Sequence, residues 1–473
     1  MLKIRAHYDV IIVGSGPSAI SSALKCAEHG MKVLCVDNFP PSSNKLSRGK
    51  FSHAPSEEIA TLLHSAKLYS ELKINSRFHG IVAENISLNL SQFVERKNSI
   101  FTQIEKEIYK SFNTAEIDFF NASAKLIASN AVMLSYSTAE PSKLVNAGNI
   151  ILATESIPIS IQCAPVDYQS IYDSSTAFNL TEIPQRIAIL GAGVIGLEIA
   201  CIWNHLGAEV ILLDAQESFL SLVDHQISRE AYKVFCAQGL ELRLGTRVVS
   251  TKIINKKVHI EYQDSDGVHV IRVDKLIVAS GRKPYSEHLA SPEANLLIDQ
   301  NQFIFVNDNC RTNLPNVYAI GDLTMLGPML PQKGIAEGIY VADQIAGIQS
   351  SVVNYETIPN VIYTDPEIAW VGQTEQSLKA KGGAIAIGTA HLGYSAINKS
   401  SNYTQGLVKV ISCPKSDTIK GIHIFGNNAS DLVAEGVLAM EFSSTTEDLA
   451  KTSHSHPSPS EAFRYACQYI NWK

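Results

Sequence analysis

The chain has 473 residues, 45% of them apolar and 18% charged, the balance of a globular protein with too much chain for one core, so about two to four domains are expected. A formal net charge of −7 supplies no basic field to hold a polyanion, which excludes nucleic acid as the default partner. The N-terminus runs almost at once into a strand, no apolar leader precedes it, and no run of about 18 apolar residues follows, so a cytoplasmic protein with no membrane span is expected.

The first unit is "YDVIIVGSGPSAISSALKCAEHGMKVLCVD". An apolar run meets a glycine-rich turn, an amphipathic helix follows, and a second apolar strand ends at Asp37. That is a βαβ unit carrying G-x-G-x-x-G/A at Gly14, Gly16 and Ala19. The first glycine permits the sharp turn and the second lets the backbone approach a pyrophosphate. The third small residue lets helix and strand pack closely, and the anion rests at the positive helix end. Asp37 would accept a hydrogen bond from an adenosine ribose.

Residues 55–74 and 91–112 repeat apolar positions at helical spacing, and residues 116–153 alternate as a small antiparallel sheet. The second unit, "RIAILGAGVIGLEIACIWNHLGAEVILLD", copies the first in plan, with Gly191, Gly193 and Gly196 and with Asp214 as the acidic partner. A carboxylate there accepts from a 2′-hydroxyl and repels a 2′-phosphate. Glu217 adds to the repulsion and no arginine lies between Ala215 and Leu222, which favours NAD over NADP. Strands between 240 and 279 complete that domain. The chain then returns to the first domain at "NVYAIGD", where Gly321 keeps the backbone close and Asp322 could hold a ribityl hydroxyl of FAD. From about residue 351 an α+β pattern without a glycine fingerprint takes over, with helices near 430–442 and 459–470.

The eight cysteines show no C-x-x-C spacing and are expected to be reduced thiols. "SHSHPSPSEAF" brings His454, His456 and Glu461 together. A carboxylate beside an imidazole fixes its tautomer and raises its basicity, which suits a general acid/base. No third ligand is near, so no metal is expected.

"GSGPSA", "HGIV", "NIILAT", "GAGVIGLE", "VASGRKP", "NVYAIGD", "MLPQKG", "YTDPEIAWVG" and "HSHPSPSEAF" together resemble the pyridine nucleotide-disulfide oxidoreductases, in particular their dihydrolipoamide dehydrogenase branch, from end to end. The resemblance implies an α/β fold with two Rossmann-like dinucleotide-binding domains, for FAD and NAD, and a C-terminal α+β interface domain in a homodimer. The expected segments are 1–153 and 284–350 for the FAD and central domain, 154–283 for the NAD domain and 351–473 for the interface domain. By the same likeness His456 is the acid/base and Glu461 orients it. Glu198 lies near the flavin where nicotinamide stacks, and Gly281, Asp322 and the backbone from Met329 and Leu330 to Gln332 contact cofactor.

The family also carries a Cys-x4-Cys pair followed by Ile-Pro-Ser-Lys. Here Asn44 or Lys45 and Lys50 fall at the cysteines and Ala54 near the lysine, while Glu155 stands where the family has a glycine near FAD. Neither lysine nor asparagine forms a mixed disulfide. The expected activity is therefore hydride transfer between NADH and FAD, with electrons passed to an unidentified non-thiol acceptor. The alternatives are dihydrolipoyl dehydrogenase activity proper, transhydrogenase-like activity, or an idle structural or regulatory paralogue.

Overall fold

The computed structural model describes residue 5 and residues 7–38, 51–135, 142–394, 396–400 and 405–471. The expectations placed on Asn44, Lys45 and Lys50 lie outside the described residues. The chain forms two compact units: Met1–Ala54, Arg96–Ile157 and Arg282–Tyr355 make one, and Pro55–Glu95, Pro158–Gly281 and Glu356–Lys473 make the other. Segment 55–95, expected with the first domain, is grouped with the second unit.

In the first unit, strand His7–Val13 pairs in parallel with Val33–Asp37 on one side and Lys143–Leu152 on the other. Successive side chains of the strand face opposite ways, as the two-residue strand period requires. Val10 and Ile12 join one buried cluster, and Ile11 and Val13 another. Short strand Val317–Ala319 also adds to Lys143–Leu152 in parallel. The all-antiparallel reading of 116–153 is corrected here: Ser123–Ala128, Ala131–Ser135 and Lys143–Leu152 are antiparallel, but Asp118–Asn121 runs parallel to Val33–Asp37. Alternation reports one buried face and says nothing of the partner's direction.

Helix Pro17–Glu28 starts with proline in its first turn, where a missing N–H costs nothing. It packs on helix Pro331–Ile345 through small residues. A β-carbon on Gly334 would fall 2.0 Å from Ser18 Oγ, and one on Gly338 would fall 2.5 Å from Ser22 Oγ. Glycine at those two positions lets the helices approach this closely.

In the second unit, five parallel strands run in the order Glu241–Arg243, Glu209–Leu213, Arg186–Leu190, Lys275–Val278, Ile171–Asp173. A three-stranded meander, Arg247–Ile254, Lys257–Asp264 and Gly267–Val273, follows in sequence. The C-terminal part is a five-stranded antiparallel sheet built on Glu367–Gly372, Leu407–Ser412 and Ile419–Gly426. Helices Ala429–Glu441 and Glu461–Asn471 accompany it.

Candidate active site

The two glycine turns have the same construction. Gly14 has φ +140°, and a β-carbon there would fall 2.0 Å from the Ala153 carbonyl oxygen. Gly191 has φ +109° and stands in the same relation to the Ala279 carbonyl, at 2.4 Å. Both positions therefore require glycine. Gly196 lies against the Gly191 carbonyl and Ala19 is buried, so both third positions take a small residue. Gly16 and Gly193 cap helices Pro17–Glu28 and Val194–His205 with extended backbone.

The acidic residues at the strand ends differ in their partners. Asp214 accepts from the Ala192 N–H at 2.6 Å and the Gln216 N–H at 2.8 Å. Asp37 Oδ1 accepts from Ser15 Oγ at 2.6 Å, but Oδ2 is buried with no donor among the described residues. Burial pushes the Asp37 carboxyl up to about 7; the Ser15 hydrogen bond opposes this and the charge of Glu155 adds to it. A buried acceptor of this kind is satisfied by a hydroxyl donor. Across the turn, the Glu155 carboxylate lies against Gly16 and accepts from Ser52 Oγ at 2.8 Å.

Gly321 has φ +66° and is held from both sides of its peptide. Its N–H donates to Glu337 Oε2 at 2.6 Å, and its carbonyl accepts from Lys333 Nζ at 2.9 Å. Lys333 and Glu337 are fully buried, 3.8 Å apart at i,i+4 on helix Pro331–Ile345. Glu337 also accepts from the Tyr355 hydroxyl at 3.0 Å. Asp322, the next residue, accepts from Ser156 Oγ, and Arg282 Nε donates to that same hydroxyl at 2.8 Å. Met329 and Leu330 lead into the N-terminus of the helix, with Leu330 as its cap.

Glu198 is buried on helix Val194–His205, and its Oε1 accepts from the Tyr363 N–H at 2.8 Å. Gly281, at φ +122°, has Ile159 Cδ1 beside it. In the C-terminal part, His456 Nδ1 lies 3.1 and 3.2 Å from the two Glu461 oxygens. The Ser458 N–H donates to Glu461 at 3.1 Å. These bonds, that of His456 foremost, hold the Glu461 carboxyl below its ordinary range. The His456 side chain is 81% exposed and that of Glu461 only 8%, so the imidazole is presented outward on a fixed base. His454 turns instead to Glu435, at 2.7 Å.

Residues 8–338 match the pyridine nucleotide-disulphide oxidoreductase family and residues 358–467 match its dimerisation domain. The chain belongs to this family. Dihydrolipoyl dehydrogenase of Cupriavidus necator is 34% identical over 469 residues, 98% of this chain and 98% of the relative. Dihydrolipoyl dehydrogenase 3 of Pseudomonas aeruginosa is 32% identical, again with 98% of each chain covered. Among solved structures, LpdA of Mycobacterium tuberculosis superposes with a TM-score of 0.87 at 21% identity, over 98% of this chain and all 100% of that one. The HOCl-induced flavoprotein disulfide reductase RclA of Escherichia coli gives 0.84 at 20%, with 98% and 100% covered. These two likenesses carry the fold.

Pyridine nucleotide-disulphide oxidoreductases are enzymes that use FAD and NAD(H). The first cradle of this member fits FAD: the glycine turn, the helix N-terminus, the orphaned Asp37 oxygen and the clamped Gly321–Asp322 turn supply the donors and acceptors a dinucleotide needs. One side chain, Glu155, stands within it. Sequence reasoning missed Ser15, Ser156, Arg282, Lys333 and Glu337. The signal for the last two was an i,i+4 charge pair interleaved with Gly334 and Gly338, a combination that places ionisable groups on a helix face packed too closely for water. Among the described residues no helix is long and apolar enough to cross a membrane, and no group of three metal-ligating side chains occurs.

Proposed function

We propose that this chain is an NAD(H) oxidoreductase of the dihydrolipoyl dehydrogenase type, working with FAD as a homodimer, whose electrons leave to an acceptor other than a thiol or disulfide. The observation that carries this is the cysteine distribution: none lies between Cys35 and Cys163. Cys35 itself is fully buried, its thiol donates to the Gly14 carbonyl at 3.3 Å, and burial pushes its pKa well above the ordinary thiol range. A disulfide relay needs an accessible thiolate and a second sulfur to resolve it, and all eight cysteines are free.

Flavin supplies an electron-accepting ring for the hydride of NADH. The remaining work falls to the chain. Gly193 and the N-terminus of Val194–His205 bind the NADH pyrophosphate, and Asp214 takes the ribose. Asp37 and Asp322 orient the FAD ribose and ribityl hydroxyls. His456, oriented by Glu461, holds or delivers a proton at Nε2 to the acceptor. One observation favours a second reading, an idle partner protein: the carboxylate of Glu155 inside the first cradle.

An anaerobic NADH titration tests the proposal. Reduction should stop at two electrons per FAD, because no disulfide takes a second pair. Uptake of four electrons, or NADH-dependent lipoamide reduction at the rate of ordinary dihydrolipoyl dehydrogenases, would sink the non-thiol reading. Colourless protein that FAD cannot reconstitute would favour the idle partner.

A further inference from the structure

We propose that Glu155 is an internal stand-in for the pyrophosphate of a dinucleotide, and that the first cradle admits FAD only when this side chain swings out. The inference rests on the first cradle being the FAD site.

The two cradles in the chain provide the comparison. Gly16 and Gly193 occupy the same position at the N-termini of equivalent helices, with φ of −87° and −74°. A β-carbon built on Gly193 meets nothing within 4 Å among the described residues, so the second cradle is open where the first is filled. One built on Gly16 falls 1.3 Å from Glu155 Oε1 and 3.0 Å from Oε2. The space in front of the first helix therefore holds a carboxylate. A carboxylate and a phosphate are satisfied by the same positive helix end, so the internal group and the cofactor compete for one place.

The neighbours of Glu155 hold it there. Its backbone has φ +63°, a left-handed conformation uncommon outside glycine. The Tyr285 N–H donates to its carbonyl at 2.9 Å, and Ser52 donates to the side chain. The main chain is tied, so it is the side chain that must leave. The following residue behaves alike: Ser156 donates to Asp322, the carboxylate set for a ribityl hydroxyl. Two of the polar features that would meet FAD are thus satisfied from a single tetrapeptide, Ala153–Ser156, while Asp37 Oδ2 lacks a donor among the described residues.

A ligand that binds only the open form has its affinity reduced by the fraction of molecules that are open. The effect belongs to the first cradle alone. Flavin-stripped, full-length wild type, E155G and E155Q are titrated with FAD by quenching of flavin fluorescence, and with NADH as the control ligand. E155G should bind FAD roughly tenfold or more tightly than wild type, as for an open form populated at about 10% or less. E155Q, of the same size without the charge, should fall between them, and NADH affinity should be unchanged in both. Equal FAD affinity in wild type and E155G overturns the inference, as does a gain that appears equally with NADH. If E155G does not fold, E155Q decides alone: tighter FAD binding supports the inference and wild-type binding overturns it. Wild type and E155G that both bind FAD tightly and equally remove the inference and leave the proposed function standing. Folded proteins that bind NADH and never FAD remove both.

Discussion

Glu198 has 1% of its surface exposed, and burial moves its carboxyl from 4.5 to about 8, the Tyr363 N–H opposing the shift. Between those two values the folded chain holds a proton that the unfolded chain releases. Stability from this residue is complete below about pH 4.5 and is lost as pH rises toward about 8. Glu198→Gln removes the titration. Relative to wild type it should gain on the order of 1–3 kcal/mol at pH 8.5 and little at pH 4.5, read from urea unfolding at both. Parallel stability curves would show that the carboxyl is not held protonated. The glycines and strand-end aspartates of both cradles were legible in the sequence because each answers a local demand: one sharp turn, one close approach, one acidic group at a strand end. Glu155 was legible only as a departure from a family pattern. Its place against Gly16 depends on a strand-to-helix turn distant from it in the sequence, which no local spacing encodes.

Helix Pro331–Ile345 shows how an element can matter beyond the residues that touch a ligand. Lys333 and Glu337 hold the carbonyl and the N–H of Gly321, so this buried pair sets the turn that aims Asp322. Lys333→Met would leave Glu337 buried without its cation, at a cost of roughly 3–5 kcal/mol. K333M/E337Q should recover part of that loss, because glutamine keeps an acceptor for the Gly321 N–H and the Tyr355 hydroxyl. Urea unfolding of the two variants, with flavin content measured alongside, checks the clamp. A loss below about 1 kcal/mol with full flavin retention would reduce the pair to a bystander. Element identity was otherwise readable: the periodicity that predicts helices over 55–74 and 91–112 corresponds to Pro55–Ile74 and Leu90–Thr114. What periodicity left open was partnership. Asp118–Asn121 alternates no differently from its antiparallel neighbours, and its parallel pairing with Val33–Asp37 is decided by where the chain re-enters the sheet.

At the scale of the molecule, the second unit brings together the five-stranded parallel sheet and the C-terminal antiparallel sheet, and a buried charge cluster ties them. Lys409 Nζ lies 2.8 Å from Asp224 and 2.5 Å from Glu375. Asp224 also caps helix His225–Ala237 through the Gln226 N–H and accepts from the Glu375 N–H. Burial alone would raise the Asp224 carboxyl, but the hydrogen bond and charge of Lys409, aided by His423, hold it below its ordinary range. His423, buried beside the cluster, is kept neutral down to about pH 4 by burial. The depressed carboxyl contributes stability above its unfolded value of 3.8, and the contribution disappears as pH falls through the folded value. Lys409→Met keeps the side-chain bulk and removes the cation. It should destabilise the protein by roughly 3–5 kcal/mol at pH 7, since the fully buried Asp224 is left without its cation, while Glu375 keeps Lys379 at 2.5 Å. The same substitution should cost least in acid, where protonation relieves the uncompensated charge, so the wild-type and K409M unfolding curves must converge as pH drops below about 4. A deficit that is the same at pH 7 and pH 3.5 would mean that Lys409 acts by packing its alkyl chain between the sheets, and the charge cluster would then have no part in joining them.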